Sequence, residues 1–101
     1  GLLKIRICRT WNLKMALQFM KDSGIKLISC TEKTNNSIYE EDYTVPTAII
    51  MGSEEDGISS ELLKISNSKV KIPIIGNIDS LNVSVATGII IYETIRQRND
   101  K

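Results

Sequence analysis

Two short segments hold the residues whose types and spacing can do chemistry. The first is Gly52-Ser53-Glu54-Glu55-Asp56-Gly57, directly after the apolar run Ala48-Ile49-Ile50-Met51. A glycine at the carboxyl end of a buried parallel strand lets a ligand approach the backbone, and such crevices are where open α/β sheets bind ligands. Alone, G-x-E-x-x-G also describes a tight strand-to-helix turn, and it lacks the lysine and spacing of a phosphate-binding P-loop. The second segment runs from Ile72-Pro73 through Gly76 to Ser80-Leu81-Asn82-Val83-Ser84. Here a strand ends, a short loop follows, and a helix opens with polar side chains in its first turn, where unpaired N–H groups bind carbonyls or anions. Asp79 and Ser80 read as caps. Asn82 and Ser84 interrupt a run otherwise built for burial. A polar side chain buried without a partner is costly, so both are expected to meet something polar.

What the chain lacks narrows the chemistry further. It contains no histidine, which removes Ser–His–Asp and Cys–His catalysis. Cys8 and Cys30 form no C-x-x-C pattern, so neither a zinc site nor a disulfide scaffold is expected. With no secretory signal visible, the reading is a reducing, cytoplasmic compartment. The longest apolar stretch, Val83 to Tyr92, is broken by Ser84, Thr87 and Gly88 and falls short of the ~20 residues a bilayer requires. The net charge of +1 conceals segregation along the chain. Residues 1–30 carry six basic side chains against Asp22, residues 31–61 carry Lys33 against eight acidic ones, and residues 62–101 carry six basic against three acidic. A basic first third can face phosphates; on charge alone a solvated face balanced by the acidic middle fits better.

The elements that must position these segments follow from periodicity. At 101 residues, with 42% hydrophobic and 25% charged composition, the chain is one ordinary globular domain. Leu2 to Cys8 reads as a strand. Leu13, Ala16, Leu17 and Met20 repeat with helical spacing between a cap at Asn12 and a left-handed terminator at Gly24. Ile25 to Cys30 reads as a strand, and the polar stretch Thr31 to Thr44 is long enough that part of it should form a helical turn or pack through Ile38 and the tyrosines. Ala48–Met51 and Val70–Ile75 read as strands buried on both faces. A short helix near Ser60–Ser66, capped by Ser59 or Ser60, lies between them. The last element is a helix from about Leu81 to Arg98, apolar on most faces in its first half, which predicts packing on the sheet and against a second subunit. The expected fold is α/β, a mostly parallel sheet flanked by helices.

Together, the two segments resemble motifs of the TrmH/SpoU branch of the SPOUT RNA methyltransferases. That pattern is a hydrophobic strand, G-x-E-G-x-G, about fourteen residues, then I-P-M-x-G-x-x-x-S-L-N-V-S-x-A. This chain shows Gly52-Ser53-Glu54-Glu55-Asp56-Gly57-Ile58 and then Ile72-Pro73-Ile74-Ile75-Gly76, followed by Ser80-Leu81-Asn82-Val83-Ser84-Val85-Ala86. The motif-bearing resemblance covers residues 45–98, with the upstream part matching in pattern only.

The resemblance implies a trefoil knot near the C-terminus, S-adenosylmethionine held in it, and a homodimer. Carried over residue by residue, Gly52, Ile72 and Leu81 contact the cofactor, largely through backbone atoms, while Glu54, Asn82 and Ser84 line the catalytic pocket. No metal is implied. The implied reaction is methyl transfer to a ribose 2′-hydroxyl, of a guanosine in 23S ribosomal RNA or alternatively of transfer RNA. None of the three pocket residues is by type a base at neutral pH, so alignment of the hydroxyl is their expected contribution. Two departures stand out. Glu55 replaces the glycine that follows the motif glutamate, and the family's upstream N-x-G-[small]-x-x-R motif, whose arginine is the usual candidate for activating the hydroxyl, has no counterpart. Arg6 and Arg9 lack its context. The chain therefore reads as the C-terminal part of a SPOUT domain, with a non-catalytic cofactor- or RNA-binding module as the alternative.

Overall fold

The computed structural model describes residues 13–52, 57–73 and 82–99. The expected strand Leu2–Cys8, the cap Asn12, and the site residues Glu54 and Leu81 lie outside them.

Helix α1 spans Leu13–Asp22, with Leu17 buried. Gly24 ends it as the sequence predicts. At a φ of 91° it lets its own N–H reach the Lys21 carbonyl at 3.0 Å and that of Ile25 reach the Met20 carbonyl at 3.0 Å, a Schellman closure. Strand β1 follows at Lys26–Cys30, β2 at Thr47–Met51, helix α2 at Ser60–Ile65, and β3 at Ser68–Val70. The three strands form a parallel sheet in the order β2-β1-β3, with Ile28 opposite both Ile49 and Ser68. Two cores cover its faces. Ile28, Ile38, Tyr43, Val70 and Ile90 pack on the side of helix α3, Val83–Asn99. Leu17, Leu27, Ile50 and Ile58 pack on the side of α1 and α2. Burial on both faces explains why the strands read as continuous apolar runs.

Two expectations are corrected. β3 covers 68–70 and does not run on through Ile72 as expected, residues 74 and 75 of the expected strand lying outside the described residues; beyond it Lys71 makes one isolated bridge, to Ser37, and Pro73 has no N–H to continue a ladder. The last helix begins at Val83, capped by Asn82 rather than by Asp79 or Ser80. In this helix Ala86, Ile90, Glu93 and Thr94 face the core, while Val85, Tyr92 and Ile95 are exposed on the single chain.

The long connection between β1 and β2 has a structure of its own. Thr31 donates to the Val70 carbonyl on the β1 side of β3 at 2.8 Å. The chain then crosses to the outer edge, where Lys71 donates to the Asn36 carbonyl at 2.7 Å and Ile38 to the Lys71 carbonyl at 2.9 Å. An edge that would otherwise expose unpaired backbone groups is thereby covered. A 3-10 turn at Ile38–Glu40 follows, capped by Ser37, and Tyr43 descends into the core with its hydroxyl donating to the Ile38 carbonyl at 2.8 Å. The expected helical turn, Ile38 and one tyrosine do carry this segment inward; Tyr39 stays exposed.

Candidate active site at the carboxyl ends of the strands

Because the strands are parallel, Cys30, Met51 and Val70 all end at one edge of the sheet. Helix α3 runs the opposite way. Near its C-terminus, Arg98 donates to the Tyr43 and Val45 carbonyls at 2.9 and 3.2 Å, just ahead of β2, and Ile90 lies over the sheet centre. Its N-terminus, with Asn82 and Ser84, therefore sits at the same end of the sheet as Gly52 and Ile72.

Gly52 follows β2 directly, and its need for glycine is steric. A Cβ there would lie 2.6 Å from the Gly57 carbonyl carbon, 2.7 Å from its Cα and 2.7 Å from the Ile58 nitrogen. Gly57 and the Ile58 nitrogen thus lie directly against Gly52. Gly57 turns the chain with a φ of 67°, in the left-handed region that glycine reaches without a side-chain clash. Ile58 is buried and anchors the returning strand end in the α1–α2 core. Ser59 then caps α2 by accepting from the Leu62 N–H at 3.3 Å. Ile72 is half-buried against the α3-side core. Asn82 Oδ1 accepts from the Ser84 N–H at 2.7 Å, and the Asn82 carbonyl accepts from the Ala86 N–H at 2.9 Å, an N-cap arrangement. Both Asn82 and Ser84 are exposed, so the premise that they are buried is corrected: the polar partner of Asn82 is the helix's own first turn.

The structure thus brings Gly52, Ile72, Asn82 and Ser84 to one end of the sheet; Glu54 and Leu81 fall outside the described residues. Gly57 was missed as a separate positional requirement, although its signal, a second glycine five residues after the first, was in the motif. No cluster of metal-ligating side chains occurs among the described residues.

The amino end of the sheet is tied by charge and amide contacts. Glu93 is buried and accepts from Arg96 Nε and Nη2 at 2.7 and 2.9 Å and from Gln97 Nε2 at 2.8 Å. The Arg96 hydrogen bonds hold its carboxyl below the usual carboxylate range, against the opposing effect of burial. Gln97 also donates to the Glu41 carbonyl at 2.8 Å and accepts from the Tyr43 N–H at 2.9 Å. Lys26 pairs with Glu41 and donates to the Asp42 carbonyl at 3.1 Å. Burial, with Glu41, Cys30 and Glu93 nearby, pushes the Tyr43 hydroxyl far above its ordinary value, so it remains a donor.

The structure is a parallel α/β domain with a glycine-closed strand end and an asparagine-capped helix start at the same end of the sheet, where open α/β sheets in general hold their ligands. The comparisons narrow the class. The SpoU rRNA Methylase family pattern matches residues 1–92. The chain is 44% identical over 82 residues to the tRNA (guanosine(18)-2'-O)-methyltransferase of Aquifex aeolicus, covering 80% of this chain and 39% of that protein. It is 36% identical over 92 residues to the 23S rRNA (guanosine-2'-O-)-methyltransferase RlmB of Photobacterium profundum, covering 91% and 38%. Its structure superposes with a TM-score of 0.78 on the SpoU methyltransferase AviRb of Streptomyces viridochromogenes in complex with AdoMet, at 27% identity and covering 91% and 38%. The chain belongs to the SpoU rRNA methylase family. It spans about two fifths of the length of the curated relatives it matches.

Proposed function

We propose that this chain forms part of an S-adenosylmethionine-dependent RNA methyltransferase that modifies a ribose 2′-hydroxyl. A guanosine of 23S ribosomal RNA is the proposed target and transfer RNA the alternative. The observation that carries the reading is the Gly52–Gly57 closure at the end of β2, in a chain whose family match runs over residues 1–92. Both relatives described above are named for guanosine 2′-O-methylation, one on tRNA and one on 23S rRNA. The chain is proposed as the C-terminal part of the SPOUT domain, carrying its trefoil knot, in a cytoplasmic enzyme.

The residues present fit the cofactor. Gly52, directly after β2, and Ile72, two residues beyond β3 and half-buried against the core, are proposed to meet the adenosine and amino-acid moieties through main-chain atoms, with Leu81 as the third contact. When bound, the sulfonium supplies an activated methyl group. The protein's task is then to align the ribose oxygen with it and guide one proton away, and positioning of this kind contributes about 7–11 kcal/mol at most. Asn82 fixes the start of α3 through its Oδ1, while its amide nitrogen and the Ser84 hydroxyl are proposed to orient the substrate hydroxyl together with Glu54.

A homodimer is proposed through α3. Tyr39, Val85, Ile89 and Tyr92 line an open apolar groove, and Tyr92 is 67% exposed. A second apolar stripe beyond the one in the core suits a second copy.

The experiment is transfer of a labelled methyl group from S-adenosylmethionine to unmodified 23S rRNA fragments and tRNA transcripts, with cofactor affinity measured alongside. Incorporation at a guanosine ribose that Asn82→Ala abolishes, with cofactor binding retained, is the expected result. One rival reading is a non-catalytic cofactor- or RNA-binding module. Cofactor or RNA binding with no turnover in either form would establish it, and a folded chain that binds neither ligand would overturn both readings.

A further inference from the structure

The basic side chains sort into two groups. Of the nine that the structure describes, five are engaged. Lys14 lies 3.8 Å from Glu61, Lys26 pairs with Glu41 and Arg96 with Glu93. Lys21 donates to the Ile65 carbonyl at 2.8 Å, and Arg98 to the Tyr43 and Val45 carbonyls. Lys33, Lys64, Lys69 and Lys71 form no ion pair or side-chain hydrogen bond among the described residues. Lys64 lies on α2. The other three are gathered at one rim.

The backbone does the gathering. In β3, Val70 points into the α3-side core, so Lys69 and Lys71 alternate to the opposite face. Their Cα atoms are about 6.6 Å apart by strand geometry, comparable to the step between phosphates on a nucleic-acid strand. The connection that follows β1 wraps the outer edge of the same strand. Thr34 Oγ1 and Asn36 Nδ2 reach the Lys69 carbonyl at 3.4 and 3.5 Å, and the Lys71 N–H reaches Asn36 at 2.7 Å. That pinning sets Lys33 beside the two strand lysines. Residues 31–38 and 68–72 carry Glu32 as their one acidic side chain, and Ser68 Oγ donates to Glu41 Oε1 at 3.2 Å on the face opposite Lys69. The rim lies at the carboxyl end of the sheet, and Lys71 directly precedes Ile72, the proposed cofactor contact.

We infer that Lys33, Lys69 and Lys71 form a phosphate track for the RNA strand that flanks the methylated nucleotide. The inference rests on the methyltransferase reading and extends it to a substrate contact. The chemistry suits a polyanion rather than a small phosphate ligand: three exposed or half-buried lysines spread along a rim, with no guanidinium fork beside them among the described residues. Such contacts position a strand without reading its bases, and they weaken with salt.

The test measures binding of fluorescently labelled, unmodified RNA transcripts (a transfer RNA and a 23S rRNA hairpin) by the full chain over a range of salt. Each lysine that neutralises a phosphate adds roughly 0.7 to the log–log salt slope, which corresponds to roughly fivefold in affinity at about 0.1 M salt. The triple variant Lys33→Ala/Lys69→Ala/Lys71→Ala is expected to bind about a hundredfold more weakly, with a slope lower by about 2. The triple replacement by arginine should retain affinity, and Lys64→Ala should change it by less than about twofold, because its charge lies off the track. Unchanged melting temperatures exclude misfolding. Parental affinity and slope in the triple alanine variant would overturn the track while leaving the methyltransferase reading intact. So would a Lys64→Ala loss equal to that of Lys71→Ala, or a parent chain that binds S-adenosylmethionine but no RNA. Failure of the folded parent to bind either ligand would remove the underlying reading as well.

Discussion

Replacing Gly52 by alanine tests whether the end of β2 is built as described. The added methyl would meet three backbone atoms of Gly57 and Ile58 at 2.6–2.7 Å, closer than real Cβ atoms come to anything. No rotamer change relieves a clash with backbone. Either β2 shifts at its end, or Gly57 and Ile58 move outward and draw Ile58 from the α1–α2 core. Overpacking of well-filled sites costs about 1–3 kcal/mol, and a triple backbone clash belongs at the upper end, about 3 kcal/mol. For a domain of this size each kcal/mol lowers the melting temperature by about 4–8 °C, so a fall of at least about 12 °C is expected. Gly57→Ala supplies the contrast. Nothing lies within 4 Å of a Cβ there, and only the φ of 67° opposes the substitution. A left-handed L-residue costs roughly 1–2 kcal/mol, so its effect should be clearly smaller.

The assay is thermal and urea unfolding of both variants, paired with S-adenosylmethionine titration. Gly52→Ala should lose both stability and cofactor affinity, while Gly57→Ala should lose stability modestly. A Gly52→Ala protein that melts within about 2 °C of the parent and binds cofactor with parental affinity would show that the two strand ends do not pack as closely as the geometry requires. Equal losses at the two positions would show that backbone conformation, not steric closure, governs the motif.

Three further outcomes follow from contacts elsewhere. Asn82→Ala removes the cap that accepts from the Ser84 N–H and should cost about 1 kcal/mol; in thermal melts Asn82→Ser restores the loss, and methyl transfer that stays lost in the serine variant isolates the amide's role at the substrate. Glu93 titrates below the usual carboxylate range because Arg96 holds its ionised form, so its stabilisation is present above the unfolded-state carboxylate pKa and disappears as pH falls through the lower folded value. Urea unfolding of Glu93→Gln across acidic pH should therefore show a flatter pH dependence than the parent. Tyr92→Glu places a charge in the exposed groove of α3 and should shift sedimentation toward monomer while leaving the monomer's far-UV circular dichroism unchanged.

The elements that proved legible in sequence are those with local causes. Gly24 stops α1 because only a left-handed residue completes the closure, and Ser59 announces α2 because a hydroxyl before a helix satisfies an orphan N–H. The Ala48–Met51 run reads as a two-face strand because both cores claim it. The start of α3 was misplaced because Asp79, Ser80 and Asn82 are all competent caps, and composition does not choose between them. The wrap of residues 34–38 around β3 had no local signature. Its hydrogen bonds join side chains and carbonyls more than 30 residues apart in the chain. At the site, the glycine spacing was legible as a motif. The clash that makes Gly52 obligatory became visible only when Gly57 and Ile58 were folded back upon it.

The two ends of the sheet are held by different physics, and the difference bears on what each can do. At the amino end Glu93, Arg96, Gln97, Arg98, Lys26 and Glu41 tie α3 to the chain entering β2, through charge-assisted and amide hydrogen bonds that use their polar groups on one another. At the carboxyl end the described contacts are mainly backbone ones: the Gly52–Gly57 closure, the asparagine cap and the chain edge along Lys71. Backbone closure leaves the lysine ammonium groups of that rim unengaged. The proposed alignment of a ribose hydroxyl on a long, charged substrate fits this division, with rigidity supplied from the far end and cations kept available at the near one. The same geometry predicts where damage separates. Substitutions at Glu93 or Gln97 should lower stability, with RNA affinity unchanged in the folded fraction, whereas substitutions at Lys69 or Lys71 should lower RNA affinity at parental stability. Melting temperature and RNA affinity measured on the same variants distinguish the two. A Glu93→Gln protein that folds fully yet loses RNA binding would show that the two ends are not independent.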